Sequence, residues 1–216
     1  MILEYKTLLQ YGQAEEIINK SRFIGYAKPV TSEDEALEFI EEIRKKHKDA
    51  THNVPAYVIG ENNEIQRYSD DGEPSGTAGI PILDMLKKEE IKNSVIVVTR
   101  YFGGIKLGTG GLVRAYTKAA KAAVKEAKIV DKILYDLFLI RIDYTLYGKV
   151  QNEIIGGNYI IKETTYDDKV NIFVYSKPSD SNLLKSKVTD MTRGTAFIEE
   201  KDSVYLTFHN GKLIDN

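Results

Sequence analysis

The sequence predicts an α+β protein with two domains. A β-branched run at Val95–Val98 leads through a glycine-rich loop into an alanine-rich segment, which predicts a buried strand, a loop and a closely packed helix. Beyond residue 137 the apolar pattern changes to the order β-α-β-β-α-β, which is typical of the ferredoxin-like split motif. We therefore expect a first domain over residues 1–131 and a ferredoxin-like second domain over 137–216, with the boundary at 131–136.

The first half of the chain contains signals for each of its elements. Thr31, Ser32 and the acids at 33–35 predict a helix start with a cap, and the basic residues 44–48 suit the end of the same helix. Two apolar runs around an Asn-rich turn predict a hairpin. The expected elements are strands at 3–9 and 21–29, a helix that starts within 31–35, hairpin strands at 56–60 and 65–68, a short helix at 82–88 and the central strand at 95–98.

The second half alternates between the periods of strands and helices. Gly156 and Gly157 mark the end of one helix, and Ser179, Asp180 and Ser181 mark the start of another. The expected elements are strands at 138–144, 159–165, 170–174 and 204–208, and helices at 147–155 and 182–193.

Composition restricts the class of protein. The 216 residues are 42% apolar and 29% charged, which is ordinary for a globular protein. The absence of cysteine excludes disulfides, thiolate metal sites and cysteine nucleophiles. No apolar run approaches the length of about 18 residues that spans a membrane, and the first residues lack a signal-peptide pattern. We expect a cytoplasmic protein with no membrane partner; composition makes no prediction of oligomeric state.

Charge is distributed unevenly. Residues 94–129 hold seven basic residues and one acid, a net charge of +6, whereas the whole chain carries −2 and the remainder therefore −8. Five of the basic residues follow helical spacing and share one face: Arg114, Lys118, Lys121, Lys125 and Lys128. This pattern indicates a polyanionic partner, while a merely solvated helix face is the alternative.

The glycine loop has two interpretations. Its glycines are Gly103, Gly104, Gly108, Gly110 and Gly111. They do not form a Walker A motif, and the third glycine of the dinucleotide-binding fingerprint is missing. They either allow positive-φ turns, expected at Gly110 or Gly111, and close helix packing, or they leave backbone N–H groups free for an anion beside Arg100 and Lys106.

A second loop, Ser69–Pro81, holds candidate reactive groups. Together with His52, its residues Asp70, Asp71, Glu73, Ser75 and Thr77 supply the types needed for a hard-cation site or a hydrolytic triad. The spacing is not that of an EF-hand, and Ser75 does not lie in a G-x-S-x-G elbow. We expect turn and cap roles for these carboxylates, no metal, no cofactor and no catalytic residue.

Both loops resemble the IMPACT family. The resemblance rests on SDDGEPSGTAGIP, on VIVVTRYFGGIKLGTGGLVRAYTKA and on Ala50–Asn53 followed by Ala56-Tyr57. The two-domain layout is similar to the bacterial, YigZ-type branch. Val54-Pro55 stands where many members have a cysteine after the asparagine, so the resemblance implies no thiol role here.

The resemblance implies both folds and partners. It implies a first domain of β-α-β-α type, like the second domain of a small-subunit ribosomal protein and domain IV of elongation factor G. The second domain would be like domain V of that factor. Eukaryotic members bind a translation-control scaffold and restrain an amino-acid-starvation kinase. The implied partners are therefore RNA, the ribosome or a translation-regulatory protein.

The leading hypothesis is a non-enzymatic, translation-associated regulator. It would bind RNA, the ribosome or a ribosome-bound partner through Arg100, Lys106, the five loop glycines, Arg114, Lys118, Lys121 and Lys125. Tyr101 and Phe102 would stack on bases if they are exposed. The alternative is an enzyme that acts on a phosphorylated small molecule, or a hydrolase, at the glycine loop.

Overall fold

The structure, a computed structural model, describes residues 2–214 and divides into two compact units. The described residues up to Lys132, together with those from Phe208 onward, form the first unit, and Ile133–Thr207 form the second. The elements that begin in the first unit are β1 Glu4–Leu8, β2 Gly12–Ile18, β3 Ser21–Pro29, α1 Glu33–Lys46, β4 His52–Ile59, β5 Ile65–Tyr68, α2 Gly79–Lys88, β6 Ser94–Tyr101, α3 Gly108–Ala127 and β7 Ile129–Ile142.

A five-stranded antiparallel sheet organises the first unit, in the order β2-β3-β6-β4-β5. β6 lies at its centre, and Ile96 is flanked by Ala27 on one neighbour and Ala56 on the other. Successive β6 side chains alternate between the faces: Val95 and Val97 pack toward α1, and Ile96 and Val98 pack toward α2 and α3. Because helices cover both faces of the sheet, the side chains on both sides of β6 are buried, and its sequence is a continuous apolar run.

Helix α3 packs closely on the sheet because both surfaces are small. Ala115, Ala119 and Ala123 are buried on its inner face. Beneath it, a Cβ added at Gly25 would lie 2.3 Å from the carbonyl oxygen of Ala119, and one at Gly12 would lie 2.3 Å from the amide nitrogen of Ala127. The expectation of close packing by an alanine-rich helix is confirmed.

The second unit has the split β-α-β-β-α-β order, and the predicted α+β class is confirmed. Its strands lie in the order β10-β7-β9-β8, all antiparallel where paired, over a core that includes Phe138, Ile140 and Ile172. The remaining elements are α4 Tyr144–Gly156, β8 Ile160–Tyr166, β9 Val170–Ser176, α5 Ser181–Met191, β10 Phe197–Glu200, β11 Val204–His209 and β12 Lys212–Leu213.

Three expectations differ from the structure. β10 pairs with Phe138–Arg141 as the fourth strand of the motif, a position predicted for 204–208. Residues 131–136, expected as a boundary, lie inside β7. The residues from Phe208 onward group with the first unit, where the ring of His209 hydrogen-bonds the carbonyl of Ile129 at 3.1 Å. The predicted limits 1–131 and 137–216 therefore do not coincide with the compact units, and they stay predictions.

Candidate functional site

A cleft of about 400 Å³ opens beside the start of α3. It lies between the first residues of β4, the last residues of β6, the acidic loop and the glycine loop. The cleft is defined by its lining residues, which are Thr51, His52, Glu73, Pro74, Arg100, Phe102, Lys106, Leu107, Gly108, Thr109 and Leu112.

Strand register brings the central side chains of the cleft together. Arg100 on β6 is paired with His52 on β4 and with Phe23 on β3. Because side chains alternate along a strand, Arg100 shares the α3-facing side with Ile96 and Val98. Phe23 packs into the core under α3, and the guanidinium carbon of Arg100 lies 5.3 Å from its ring centre.

Glu73 is the centre of a buried polar network. Its Oε1 accepts hydrogen bonds from Nη1 of Arg100 at 2.5 Å and from the hydroxyl of Tyr116 at 2.7 Å. Nε2 of His52 lies 3.7 Å from the same oxygen. The Arg100 and Glu73 side chains are only 6% and 4% exposed. Burial, with the nearby Glu73 carboxylate second, raises the pKa of Tyr116 far above its usual value, so Tyr116 remains a donor to Glu73.

The buried position of Arg100 corrects the expectation of a surface arginine. Its charge is already matched by Glu73, and its Nε is buried without a hydrogen-bond partner. Phe102 also lies near Arg100, with its ring centre 5.4 Å from the guanidinium carbon. Phe102 itself is 46% exposed, whereas Tyr101 is half-buried and bonded to His47.

The acidic loop is held by its own backbone. The Asp70 carboxylate accepts N–H bonds from Gly76, Ala78 and Gly79 at 2.8, 3.1 and 2.8 Å, and so satisfies two backbone donors at the start of α2, those of Ala78 and Gly79. The Asp71 carboxylate accepts the backbone N–H of Asn53 at 2.5 Å. Within residues 2–214 no group of three or more His, Asp or Glu side chains is arranged to hold a metal ion.

The structure does not assemble the triad of Ser75, His52 and an aspartate. Nδ1 of His52 donates to the backbone carbonyl of Asp71 at 2.6 Å rather than to a carboxylate. Ser75 is exposed, and its hydroxyl makes no hydrogen bond to any described residue. Thr77 is buried and donates to the carbonyl of Pro74 at 2.7 Å, which is a turn contact.

The loop glycines serve different purposes. Gly104 and Gly108 have φ of 85° and 70°, which favour glycine. A Cβ at Gly103 would lie 2.0 Å from the backbone of Lys20. Gly110 and Gly111 lie inside α3 without positive φ, so the expectation of a positive-φ turn at either of them was wrong.

The start of α3 is open. Its N-cap residue, Leu107, provides no side-chain hydrogen bond, and the first turn contains no acid. A Cβ at Gly110 would meet nothing closer than the Arg114 guanidinium at 3.6 Å, so packing does not require glycine there. The start of α3 therefore offers free backbone N–H donors to an anion. The start of α2 does not, because Asp70 caps it.

The basic face of α3 divides into paired and unpaired cations. Lys118 bonds Glu16 of β2 at 2.8 Å, and Lys121 bonds Glu89 after α2 at 3.0 Å. Both acids come from other elements, so the spacing of residues along α3 could not reveal them. Among the described residues, the exposed side chains of Arg114, Lys125 and Lys128, and of Lys106 in the loop before α3, have no ion-pair partner.

Comparisons with known proteins agree on one family. The Impact N-terminal domain model matches residues 19–124, and the model of a domain of unknown function (DUF1949) matches 140–195. The chain is 44% identical to the IMPACT family member YvyE of Bacillus subtilis over 95% of each protein. The chain belongs to the IMPACT family.

Other proteins match at lower identity or over a smaller part of this chain. YigZ of Escherichia coli is 37% identical over 67% of this chain and 75% of its own. A Protein IMPACT homolog of Dictyostelium discoideum is 43% identical over 41% of this chain and 26% of its own. A crystal structure described as that of an hypothetical protein aligns with a TM-score of 0.59 and 28% identity over 94% of this chain and 99% of its own. The predicted resemblance to the bacterial, YigZ-type branch is confirmed.

Sequence reasoning missed two groups of this IMPACT site. Tyr116 lies in an alanine-rich helix, and its size and polarity on that apolar face are the signal that could have identified it. The Thr51 hydroxyl accepts the backbone N–H of Phe102 at 3.0 Å and so fixes the start of the glycine loop.

Within the described chain, no helix is both long and apolar enough to span a membrane.

Proposed function

We propose that this IMPACT protein regulates translation by binding RNA, on the ribosome or free of it, through a basic surface. The basic surface consists of the loop 102–107 and the exposed side chains of Lys106, Arg114, Lys118, Lys121 and Lys125. The observation that carries the proposal is that Lys106, Arg114 and Lys125 are exposed cations with no acidic partner in residues 2–214. Unpaired Lys and Arg side chains supply affinity for phosphates.

The loop beside these cations supports RNA as the partner. Phe102 and Ile105 are 46% and 43% exposed, so an aromatic ring and an apolar side chain stand next to positive charge. RNA-binding proteins use such rings to stack on unpaired bases. The exposed backbone at Gly104, Gly108 and Gly110 permits close approach of a sugar-phosphate chain. Family membership supports the role in translation.

Binding is favoured over catalysis by two observations. The enzyme alternative places Arg100 on the phosphate beside the glycine loop, but Arg100 is already paired with Glu73. A hydrolase needs an activated nucleophile, and the exposed Ser75 is not hydrogen-bonded to His52 or to any other described residue.

Sedimentation tests the proposal. The purified protein, mixed with ribosomal subunits or with RNA extracted from them, is centrifuged through sucrose at low and moderate salt. We expect the protein to move with the subunits and with the RNA at low salt and to be released as salt rises, because phosphate contacts are screened. Protein that stays at the top of the gradient with both partners at low salt would overturn the proposal.

A further inference from the structure

The floor of the cleft exposes one hydrogen-bond acceptor and one donor of the buried pair. Within residues 2–214, Oε2 of Glu73 accepts no hydrogen bond and Nη2 of Arg100 donates none, and neither atom is completely buried, unlike Nε of Arg100. Both side chains line the cleft and are more than nine-tenths buried. These two atoms are therefore open to a ligand in the cleft.

The charge balance of the floor selects the class of ligand. A phosphate on the floor would meet the Glu73 carboxylate, whose negative charge cancels that of Arg100. A neutral group with an N–H beside an acceptor atom would instead satisfy both residues. The edge of every nucleobase has this arrangement, with an amino or imino N–H next to a ring nitrogen or carbonyl oxygen.

The rim of the cleft suits the rest of a nucleotide. Phe102 stands at the mouth with a partly exposed ring, which is suited to stacking on a base. Lys106 and Thr109 line the opening beside the uncapped start of α3, where positive charge and free N–H groups would face a phosphate. The volume of about 400 Å³ lies in the range of ligand pockets.

We propose that the cleft is a nucleobase subsite that takes one unpaired nucleotide of the bound RNA. The base edge bonds Glu73 Oε2 and Arg100 Nη2, the base stacks on Phe102, and its phosphate lies at Lys106 and the start of α3. The inference deepens the proposed function and rests on it for the source of the nucleotide. A base paired in a duplex has its edge occupied, so the cleft selects single-stranded RNA over duplex.

The test compares Phe102→Ala with Tyr11→Ala in the full chain. Both side chains are aromatic and 46% exposed, but Tyr11 belongs neither to the lining of the cleft nor to the basic surface. Binding is measured by titration with adenosine and guanosine 5′-monophosphates, ribose 5-phosphate and inorganic phosphate, and with a single-stranded hexanucleotide RNA and a duplex of the same length.

We expect wild type and Tyr11→Ala to bind at least one nucleotide about tenfold more tightly than ribose 5-phosphate, and the single strand more tightly than the duplex. Phe102→Ala should lose about tenfold in both comparisons, the size expected for a lost stacking contact. Equal binding of ribose 5-phosphate and the nucleotides, or identical behaviour of the two variants, would overturn the subsite. If RNA binds but shows neither preference, only the subsite fails. If nucleotides bind but RNA does not, the proposed function fails and a free nucleotide is the ligand.

Discussion

Nη1 of Arg100 lies 2.5 Å from Oε1 of Glu73, and both side chains are almost completely buried. The pair joins the central strand β6 to the acidic loop, and Tyr116 ties the same carboxylate to α3. Three parts of the first unit therefore meet at one carboxylate oxygen. Removing either charge leaves the other without its partner in a site that excludes most water.

Replacing Glu73 should strongly destabilise the fold. We expect Glu73→Ala to cost about 3 kcal/mol, because Arg100 and the Tyr116 hydroxyl both lose their acceptor. The control, Glu89→Ala, removes an exposed pair with Lys121 and should cost less than about 1 kcal/mol. Urea unfolding of the three proteins measures this difference. Similar midpoints for both variants would show that the buried pair contributes no more than the exposed one.

Stability should fall as pH decreases through the range of His47. Its ring lies between the hydroxyls of Tyr26 and Tyr101, at 2.5 and 2.8 Å. Burial, then the charges of Lys46 and Arg22, lowers the pKa of His47 below its usual 6.5. The unfolded chain therefore binds a proton at a higher pH than the folded chain, and stability is lost from about pH 6.5 down to the folded pKa.

The variant His47→Gln isolates this contribution. It removes the titrating ring, so the decrease in unfolding free energy between pH 7 and 5.5 should be smaller than in wild type. Urea unfolding at several pH values gives both slopes. Equal slopes in the two proteins would contradict the assigned role of His47.

Two glycines should respond in opposite ways to alanine. At Gly25 the new Cβ would lie 2.3 Å from the carbonyl oxygen of Ala119, so α3 must shift, and we expect a loss of about 1–3 kcal/mol. At Gly110 the new Cβ finds space, and greater helix propensity should stabilise by up to about 1 kcal/mol. Thermal unfolding compares them. A stable Gly25→Ala protein would show that the helix can move away from the sheet at little cost.

The Gly110→Ala protein also tests the site. If RNA approaches the backbone at the start of α3, the added methyl group should weaken RNA binding although the fold becomes more stable. An anisotropy titration with the stabilised variant measures this effect. Unchanged affinity would exclude close backbone contact at Gly110.

Elements with strong local signals were predictable from the sequence. Ser32 caps α1 through a hydrogen bond to the N–H of Glu35, and the apolar run at Val95–Val98 became the sheet centre. β2 and β10 were missed because they are short or polar and half exposed, so pairing rather than residue type defines them. The polar residues Asp131, Lys132 and Asp136, which were expected to mark a boundary, lie within the continuous strand β7.

The residues of the site were predictable from the sequence, but the contacts between them were not. His52, Glu73 and Arg100 were all singled out, but a sequence cannot show that strand register and a loop bring them to one cleft. The same holds for Lys118 and Lys121, whose acids, Glu16 and Glu89, are distant in the chain. Helical spacing reveals partners on the same helix only.

Ion pairing predicts a ranking among the lysines of α3. Lys125 has no acidic partner in the described chain, whereas Lys121 is held by Glu89 at 3.0 Å. Lys125→Ala should therefore weaken RNA binding more than Lys121→Ala, since Lys121 must first give up an existing contact to meet a phosphate. Anisotropy titrations at one low salt concentration give this ranking. A larger effect of Lys121→Ala would show that the exposed pair opens freely.

The most direct test of the basic surface is a salt titration of RNA binding with two charge-matched variants. Arg114→Ala with Lys125→Ala removes two unpaired cations of the basic surface, while Lys45→Ala with Lys48→Ala removes two exposed cations at the end of α1, which packs on the opposite face of the sheet. Fluorescence anisotropy between 50 and 200 mM salt gives the slope of log affinity against log salt concentration. We predict that the first variant binds more weakly and has a slope flatter by about two units, one per lost phosphate contact, and that the second matches wild type. The same slope and affinity for both variants would contradict RNA binding through this surface.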